Sequence, residues 1–468
     1  MIIGSLSGKK VTVMGLGLFS GGVETVKFLV NNKAKVTVTD LRDEKALSKS
    51  LAEISSLPVS LKLGFHMEED FTSPDLLVIN PAVQMDSSFV QLAVKSGVTI
   101  TTEMNLFFER CRAPIIAVTG SNGKTTTAYI IAEILKTSGL PHNGSFYFGG
   151  NIGKSLIAQV DSISEKDLVV LEMSSFQLER LRWLEKSPHI SVATNISPNH
   201  LDWHKTMEEY ELAKRAIIDY QLPHDYAVLN INDTRLKSWT SKCRGKLLWF
   251  SSKEPVEEGA YLDNDKLIFR RNGKDSVLSL RDEVRLPGLF NIENYLAAFC
   301  AVSVLGASAE SCRKVTAEFP GVEHRLEFVR QVKGVKFYND SIATTPESTI
   351  AALSALESPI ILIAGGSDKN LSYDAVGKEI ALKSKSVVLV GATAPKIEEA
   401  VRRHGKSDNI YNEKTFENAV RKAFSLAKAG DVVLLSPASA SFDMFTNFEQ
   451  RGRIFKQIAS KIADKLEK

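Results

Sequence analysis

A glycine-rich loop between an apolar strand and a helix constrains this chain more than any other segment. Ile115-Ile-Ala-Val118 leads into Thr119-Gly-Ser-Asn-Gly-Lys-Thr125, and a helical pattern follows. Backbone N–H groups at such a helix start can bind phosphate, while Lys124 reaches the β and γ oxygens and Thr125 offers a hydroxyl to Mg²⁺. Val118 stands where the complete P-loop pattern has its first glycine. The segment therefore predicts phosphate binding, and a glycine-rich turn without a ligand is the alternative.

Short β-branched runs that end in glycine or serine recur on both sides of this loop. Continuous apolar runs separated by helical stretches are typical of buried parallel strands in βαβ units. The pattern predicts an α/β fold with three domains in series. They are an N-terminal Rossmann-like domain (1–110), a central P-loop ATPase-like parallel sheet (111–320) and a C-terminal Rossmann-like domain (321–468). Asn272-Gly273 predicts a hairpin, and hence a small antiparallel β insertion in the central domain.

Charge, cysteine content and hydropathy limit the partners and the cellular location that we expect for this protein. The 468 residues carry 58 Lys plus Arg against 55 Asp plus Glu, a formal charge of +3, so no nucleic-acid partner is expected. The four scattered cysteines favour reduced thiols in a cytoplasmic protein. The sequence has neither an apolar run long enough for a bilayer nor a signal-peptide core. We expect a cytoplasmic protein with no membrane insertion.

A second glycine-rich turn lies near the start of the chain. Gly15-Leu-Gly17 follows a strand, Asp40 ends the next strand, and Ser20 takes the place of the third glycine of a dinucleotide fingerprint. The imperfect pattern favours a diphosphate-bearing ligand at a helix N-terminus over NAD. A simple packing turn is the alternative.

Four further residues have weaker individual signals. Glu172 ends a buried strand, where a carboxylate beside a phosphate loop could bind Mg²⁺ or cap the next helix. His200 and His204 lack the companions of a zinc site. Lys214, taken alone, is typical of a solvated helix lysine.

Together these segments resemble the Mur ligases of peptidoglycan synthesis, most closely their D-glutamate-adding subgroup. The resemblance runs in order through all three domains. It is carried by Thr119–Thr125, Glu172-Met-Ser-Ser-Phe-Gln-Leu178, His200-Leu-Asp-Trp-His204, Lys214 in Tyr-x-x-x-Lys, Asn291 and Asn294, Glu323-His324-Arg325, and Leu435–Asp443 with Asn447–Gly452.

The resemblance implies a reaction in which ATP drives addition of D-glutamate to UDP-N-acetylmuramoyl-L-alanine through an acyl phosphate. Its ATP site would comprise Gly120, Ser121, Asn122, Gly123, Lys124, Thr125, Thr126, Asn291, Asn294, Arg325 and Asp340. The UDP substrate would contact Gly15, Leu18, Phe19, Ser20, Asp40, Arg42, Asn80, Pro81, Asn151 and His200. The amino acid would contact Thr344, Lys369, Ser441, Phe442 and Phe448.

The resemblance also implies the catalytic groups. The implied catalytic residues are Lys124, Glu172, His200 and Lys214. Two Mg²⁺ ions would be bound by Thr125, Glu172, His200 and Lys214, the last of these in the form of a carbamate. The residues leave the base that deprotonates the amino acid open, with His200 as one candidate. A monomer is expected.

One departure from the subgroup is clear, and several alternatives stay open. Asp340-Ser-Ile342-Ala-Thr344 has isoleucine where the subgroup often has lysine, which removes a cation from the amino-acid side. The nearest alternative is a related Mur ligase or a folylpolyglutamate synthase-like ligase. A nicotinamide-dependent dehydrogenase built on Gly15-Leu-Gly17 and a non-catalytic nucleotide sensor are more distant alternatives.

Overall fold

The computed structural model describes residues 4–18, 20–81, 83–151, 155–369 and 371–466, apart from the side chains of 202, 465 and 466. Three sheets flanked by helices confirm the predicted α/β class. The chain divides into two compact units, Met1–Glu283 with Ile292–Ala317, and Val284–Asn291 with Glu318–Lys468. The first unit contains two of the sheets. The domain limits at 110/111 and 320/321 stay predictions.

The first sheet is parallel throughout, in the order β3-β2-β1-β4-β5. Its strands are β1 (Lys10–Met14), β2 (Lys35–Asp40), β3 (Val59–Leu63), β4 (Leu76–Ile79) and β5 (Thr99–Thr101). The accompanying helices are α1 (Ser20–Asn31), α2 (Ser48–Ile54), α3 (Glu69–Thr72), α4 (Ser88–Lys95) and α5 (Glu103–Arg110). Parallel strands place their carboxyl ends at one edge, so the turns after β1, β2 and β4 lie together.

The central sheet has the order β14-β13-β12-β11-β10-β9-β6-β8-β7. Its strands are β6 (Ile115–Thr119), β7 (Phe146–Gly150), β8 (Leu168–Glu172), β9 (Ile190–Ala193), β10 (Tyr226–Asn230), β11 (Lys246–Ser251), β12 (Gly259–Asp263), β13 (Lys266–Arg271) and β14 (Lys274–Leu280). Its helices are α6 (Lys124–Thr137), α7 (Ser175–Leu181), α8 (Leu201–His204), α9 (Met207–Asp219), α10 (Thr234–Ser238), α11 (Leu289–Ser303) and α12 (Ala309–Glu318). Short 3₁₀ turns cover Ile157–Ser162, Arg182–Leu184, Trp239–Lys242 and Arg281–Glu283.

The antiparallel insertion confirms the hairpin prediction. β13 pairs antiparallel with both β12 and β14. Asn272 and Gly273 connect β13 to β14 with φ of 51° and 70°, the left-handed values that this kind of two-residue turn requires. The other strands of the sheet pair in parallel.

The third sheet has the order β15-β16-β20-β17-β18-β19 and is parallel except for β15. Its strands are β15 (Glu327–Val332), β16 (Val335–Asn339), β17 (Ile360–Ala364), β18 (Ser384–Val390), β19 (Ile410–Glu413) and β20 (Val432–Leu435). Its helices are α13 (Pro346–Ala355), α14 (Asp374–Lys383), α15 (Ala394–Arg403), α16 (Phe416–Leu426) and α17 (Phe448–Leu466). Among the helices in the described ranges, none has both the length and the hydrophobicity needed to cross a bilayer.

Candidate active site

The loop between β6 and α6 is built on two glycines that no other residue could replace without displacing its neighbours. Gly120 has φ of 148°, and a Cβ there would lie 1.9 Å from Thr194 Oγ1. Gly123 has φ of 82°, and its Cβ would lie 2.4 Å from Asn294 Oδ1. Thr194 and Asn294 therefore pack against the loop itself. Helix α6 begins directly after this loop at Lys124, and a glycine-rich loop that leads into a helix N-terminus is an arrangement that binds phosphate.

Two lysines converge on one carbonyl of this loop. Lys124 Nζ donates to the carbonyl oxygens of Gly120 and Ser121, both at 3.0 Å. Lys214 Nζ donates to the same Gly120 oxygen at 2.9 Å and lies 3.3 Å from Thr119 Oγ1. The solvated role considered for Lys214 on its own is wrong, because α9 turns this side chain into the protein, where the residue is 2% exposed.

Burial gives Lys214 an unusual protonation equilibrium. Loss of hydration is the main cause that holds the pKa of Lys214 well below its usual value, and the nearby charge of Lys124 lowers it further. The carboxylate of Glu172 opposes both effects. A neutral amine is thereby favoured next to the loop, and a neutral amine is nucleophilic.

Glu172 forms the acidic side of the site. It is 2% exposed at the end of β8, which neighbours β6 in the sheet. Thr125 Oγ1 donates to Glu172 Oε2 at 2.6 Å, and Asn151 Nδ2 donates to Oε1 at 3.0 Å. A hydroxyl and a carboxylate side by side at the start of a phosphate-binding helix are the hard oxygen ligands that Mg²⁺ prefers. These residues fit a magnesium site.

The two histidines after β9 have different surroundings. His200 has φ of 53° immediately before α8, and its ring lies edge-on to Phe176 at 5.0 Å. His204 is buried, lies 2.9 Å from Ser175 Oγ through Nε2, and stacks on Phe176 at 5.5 Å. Burial lowers the pKa of His204. His204 thus packs within the protein, whereas the metal role of His200 stays a prediction.

The turn after β1 closes around the carboxylate of Asp40. Asp40 Oδ2 accepts from Gly17 N at 3.2 Å, and Oδ1 accepts from Arg42 N at 2.9 Å. Asn80 Nδ2 donates to the Gly15 carbonyl at 3.4 Å. The predicted substrate residues therefore form two hydrogen-bonded pairs, Asp40 with Arg42 and Gly15 with Asn80. Phe19 lies outside the described residues, Leu18 is 56% exposed, and Ser20 begins α1.

A cavity of about 350 Å³ lies in front of the first turn of α1. Its lining combines Gly15, Asn80 and Pro81 from the first sheet with Asn151 from the central segment. The structure thus brings these predicted UDP-substrate residues to one cavity. The same Asn151 contacts Glu172, so the cavity adjoins the phosphate-loop site.

The second unit carries the remaining predicted residues. Asp340 follows β16 and accepts from Leu326 N at 3.0 Å and Ser436 Oγ at 2.8 Å. Burial is the main cause that raises the pKa of Asp340 to about 7. Arg325 Nε is buried and donates to no residue in the described part of the chain, which leaves this N–H available to a ligand.

The predicted amino-acid residues lie on several loops of this unit. Ser441 is buried, whereas Phe442 is 68% exposed. Phe448 begins α17, and its ring contacts His324 at 6.1 Å. Thr344 lies in the loop after β16, and Lys369 is exposed after β17. Their joint contact with an amino acid stays a prediction.

Comparison with known families accounts for most of the chain. Residues 9–102 match the Mur ligase MurD-like N-terminal domain, residues 118–302 the Mur ligase middle domain, and residues 324–439 the Mur ligase glutamate ligase domain. The chain belongs to the Mur ligase family.

Curated relatives of this Mur ligase match along nearly its whole length. UDP-N-acetylmuramoylalanine–D-glutamate ligase of Symbiobacterium thermophilum is 43% identical over 97% of this chain and 98% of its own. The protein of the same name from Acetivibrio thermocellus is 43% identical over 98% of this chain and 97% of its own.

Solved structures show the same fold. UDP-N-acetylmuramate-alanine ligase MurC of Thermotoga maritima is 19% identical with a TM-score of 0.61, covering 97% of this chain and 99% of its own. A pseudomurein peptide ligase type C from Methanothermus fervidus gives 19% identity and a TM-score of 0.57, covering 97% and 100%.

Two residues that contact or adjoin predicted site residues of this Mur ligase, one in each unit, were missed from the sequence. Glu103, at the start of α5, lines the same cavity as Asn80 and accepts from Ser155 Oγ at 2.5 Å. Burial raises its pKa to about 7. Its position just after β5 was an available signal, because carboxyl ends of parallel strands meet at one edge.

Arg451 is the second missed residue. Its buried guanidinium donates to the Ser341 carbonyl at 2.8 Å and to the carbonyls of Ser439 and Ala440 at 3.1 and 3.2 Å. It therefore ties the loop after β16 to the loop that leads to Ser441. Its place within Asn447–Gly452 of the C-terminal signature was the available signal.

Proposed function

We propose that this Mur ligase joins D-glutamate to UDP-N-acetylmuramoyl-L-alanine and converts ATP to ADP and phosphate. The observation that carries the proposal is the 43% identity, over 97% of the chain, to a ligase named for that reaction. The buried Thr125–Glu172 pair beside the phosphate loop supports an ATP-dependent step. The family membership argues against the nicotinamide-dependent dehydrogenase.

In the proposed first step, a carboxylate oxygen of the alanyl group attacks the γ-phosphorus of ATP. The new O–P bond makes an acyl phosphate as the bond to ADP breaks. Phosphoryl transfer of this kind needs positioning and charge neutralisation more than covalent help. The ammonium of Lys124 at the α6 N-terminus supplies positive charge where the β and γ oxygens would lie.

The proposed metal ligands are Thr125 and Glu172 at one Mg²⁺ ion, with His200 and Lys214 toward a second. When bound, the ions offset the negative charge of the phosphates. Thr125 and Glu172 already place their oxygens 2.6 Å apart. Asn151 holds the other Glu172 oxygen, which fixes the orientation of the carboxylate.

Lys214 is proposed to act as a carbamate. Its neutral amine would attack CO₂, so that a C–N bond forms, one proton leaves, and a carboxylate replaces the cation. The depressed pKa supports the first requirement, a neutral amine. The product would turn a group that repels metal ions into one that binds them.

In the proposed second step, the deprotonated amine of D-glutamate attacks the acyl carbon. A tetrahedral intermediate forms and then expels phosphate, leaving the amide. His200 is the candidate base for the amine proton. The proposed contacts of the amino acid are Thr344, Lys369, Ser441, Phe442 and Phe448. Ile342 stands where the subgroup often has lysine, so these contacts lack that positive charge.

The remaining ATP contacts are proposed on both units, at Asn294 in the first and at Asn291, Arg325 and Asp340 in the second. Arg325 Nε has no hydrogen-bond acceptor among the described residues, which supports a contact between ATP and the second unit. We propose that the protein acts as a monomer in the cytoplasm on small-molecule substrates.

The test is phosphate release from ATP with UDP-N-acetylmuramoyl-L-alanine and Mg²⁺, comparing D-Glu, L-Glu, D-Lys and no amino acid. Release only with D-Glu is expected. Release with another amino acid would overturn the substrate assignment, and no release in any assay, from folded protein, would favour a nucleotide sensor.

A further inference from the structure

Three metal-ligating side chains lie together at the amino-terminal ends of two central strands. His189 immediately precedes β9 and Asp225 immediately precedes β10. The two strands pair in parallel with Ile190 opposite Tyr226, so His189 and Asp225 occupy neighbouring register positions. His224 adds a second imidazole from the loop before β10. This end of the sheet is opposite the phosphate loop, which follows the carboxyl end of β6.

The ligand atoms are close enough to share one ion. His189 Nδ1 lies 2.7 Å from Asp225 Oδ1, and His224 Nε2 lies 3.6 Å from the same oxygen. One ligand atom from each residue lies within 4.8 Å of the other two. Ligands of a tetrahedral Zn²⁺ at about 2.1 Å are roughly 3.4 Å apart. Rotation of His224, whose side chain is 68% exposed, can bring its nitrogen to this spacing. His189 and Asp225, now hydrogen-bonded at 2.7 Å, must separate by roughly 0.7 Å to share the ion.

Two of the three ligands are held in place by the backbone around them. Asp225 Oδ2 accepts from Leu222 N at 2.7 Å, and the Asp225 carbonyl accepts from Lys246 N at 2.7 Å. These bonds direct Oδ1 toward the histidines. The His189 carbonyl accepts from Tyr226 N at 2.8 Å. His224 makes the larger adjustment when an ion binds, and the small movement of the other two ligands limits the entropy that binding costs.

The cluster opens into a cavity of about 590 Å³, which gives water access to complete the coordination. Glu165 and Lys186 also line this cavity. Lys186 Nζ is directed to the Phe108 carbonyl at 3.3 Å. Two imidazole nitrogens with one carboxylate oxygen favour Zn²⁺ and its neighbours among the transition metals over Mg²⁺ or Ca²⁺.

We propose that His189, His224 and Asp225 form a site for a divalent transition metal of the Zn²⁺ class, separate from the ligase centre. The bound ion would join the amino-terminal ends of β9 and β10 to the loop between α9 and β10. Because β9 spans four residues at about 3.3 Å each, the site lies roughly 13 Å or more from the loops at the carboxyl edge. Its occupancy should leave the ligase reaction unchanged.

The test is calorimetric titration of the full chain with Zn²⁺ in excess Mg²⁺, which competes at oxygen-rich sites. His224→Ala removes one exposed ligand, and His142→Ala removes an exposed histidine outside the cluster as the matched control. We expect wild type and His142→Ala to bind one more Zn²⁺ equivalent, in the micromolar range, than His224→Ala. Zn²⁺ should also raise the melting temperature of wild type more than that of His224→Ala.

Two controls keep the result interpretable. Equal melting temperatures of the metal-free proteins would show that His224→Ala folds normally, and equal phosphate release would separate this site from the ligase centre. Identical Zn²⁺ stoichiometry and affinity in wild type and His224→Ala would overturn the proposal. Wild-type binding only at millimolar Zn²⁺ would overturn it as well, since that is adventitious binding.

Discussion

Lys214 and Lys124 donate to the same carbonyl oxygen of Gly120, yet only Lys214 is fully enclosed. At the scale of single residues, burial of a lysine changes which protonation state its amine favours and so which reactions it can undergo. A buried amine loses hydration and favours its neutral form, which can react with CO₂. A lysine at the phosphate loop that stays protonated instead serves as a fixed charge. Two residues of one type are thereby given different proposed roles.

We predict that removing CO₂ from the buffer lowers ligase activity and that bicarbonate restores it. The physical reason is that the proposed carbamate of Lys214 would form reversibly and would supply the second anionic metal ligand. Phosphate release is measured in degassed buffer with and without bicarbonate. Lys214→Met should lose about a hundredfold or more in rate and should not respond to bicarbonate. An unchanged rate in CO₂-free buffer would contradict the carbamate.

Glu172→Gln should lower kcat by about a hundredfold or more, because the amide keeps the shape of the side chain but loses the charge that favours Mg²⁺. The Mg²⁺ concentration needed for half-maximal rate should rise at the same time. Glu68→Gln, at an exposed position of the first unit, is the control and should behave as wild type. A Glu172→Gln enzyme with wild-type Mg²⁺ dependence would rule out this ligand assignment.

Glu103 predicts a pH dependence of stability. Burial raises its pKa to about 7 in the folded protein, whereas an unfolded glutamate ionises near about 4.3. The fold therefore disfavours ionised Glu103, and the resulting loss of stability grows between these two pH values and then stays constant. Glu103→Gln avoids this loss. Its melting temperature should exceed that of wild type at pH 8 and converge with it near pH 4, measured by thermal unfolding with Glu68→Gln as control.

At the scale of elements, the carboxyl edge of the central sheet gathers the loops that carry the chemistry. β6 lies between β8 and β9, with Val118 opposite Glu172 and Thr119 opposite Ala193. Glu172 and Thr194 are consequently next to the loop after β6. The topology, rather than any one loop, puts the acid of one strand beside the phosphate loop of another.

Substitution at Gly120 tests how closely this loop is packed. Gly120→Ala would place a Cβ 1.9 Å from Thr194 Oγ1, so the loop must move away from its phosphate-binding form. We expect a large rise in the KM for ATP together with loss of stability. Gly139→Ala is the matched control, because Gly139 also has a positive φ of 63° but open space around it. It should cost only about 1 kcal/mol and leave the KM for ATP unchanged.

Elements were more predictable from this sequence than the contacts between them. Strand β6, helix α6 and the Asn272-Gly273 hairpin follow from local patterns of hydrophobicity and turn residues. Strand β15, with the sequence Glu-Phe-Val-Arg-Gln-Val, gives no such signal, because charged and amide side chains interrupt its apolar residues. The burial of Lys214, the raised pKa of Glu103 and the bonds of Arg451 depend on segments distant in sequence, which no local pattern encodes.

At the scale of the whole molecule, the proposed roles are divided between the two compact units. The phosphate loop, the proposed metal ligands and the proposed UDP-substrate cavity belong to the first, and the proposed amino-acid residues belong to the second. Arg451 connects two loops within that second unit through backbone carbonyls. Specificity for the amino acid should therefore be separable from binding of the UDP substrate.

Ser441→Ala should raise the KM for D-glutamate by about tenfold while the KM for UDP-N-acetylmuramoyl-L-alanine stays unchanged. The reason is that the substitution removes one hydroxyl from the proposed amino-acid site, whereas the residues of the proposed UDP-substrate cavity belong to the first unit. Steady-state kinetics with each substrate varied in turn gives both constants. Equal changes in both KM values would contradict this division of roles.

The most direct measurement of the central claim follows an oxygen atom. UDP-N-acetylmuramoyl-L-alanine labelled with ¹⁸O in its carboxylate is incubated with the enzyme, ATP, Mg²⁺ and D-glutamate, and the released phosphate is analysed by mass spectrometry. An acyl-phosphate ligase transfers one carboxylate oxygen to phosphate for each amide formed, so phosphate carrying one ¹⁸O is predicted. Unlabelled phosphate alongside the amide product would contradict the proposed mechanism.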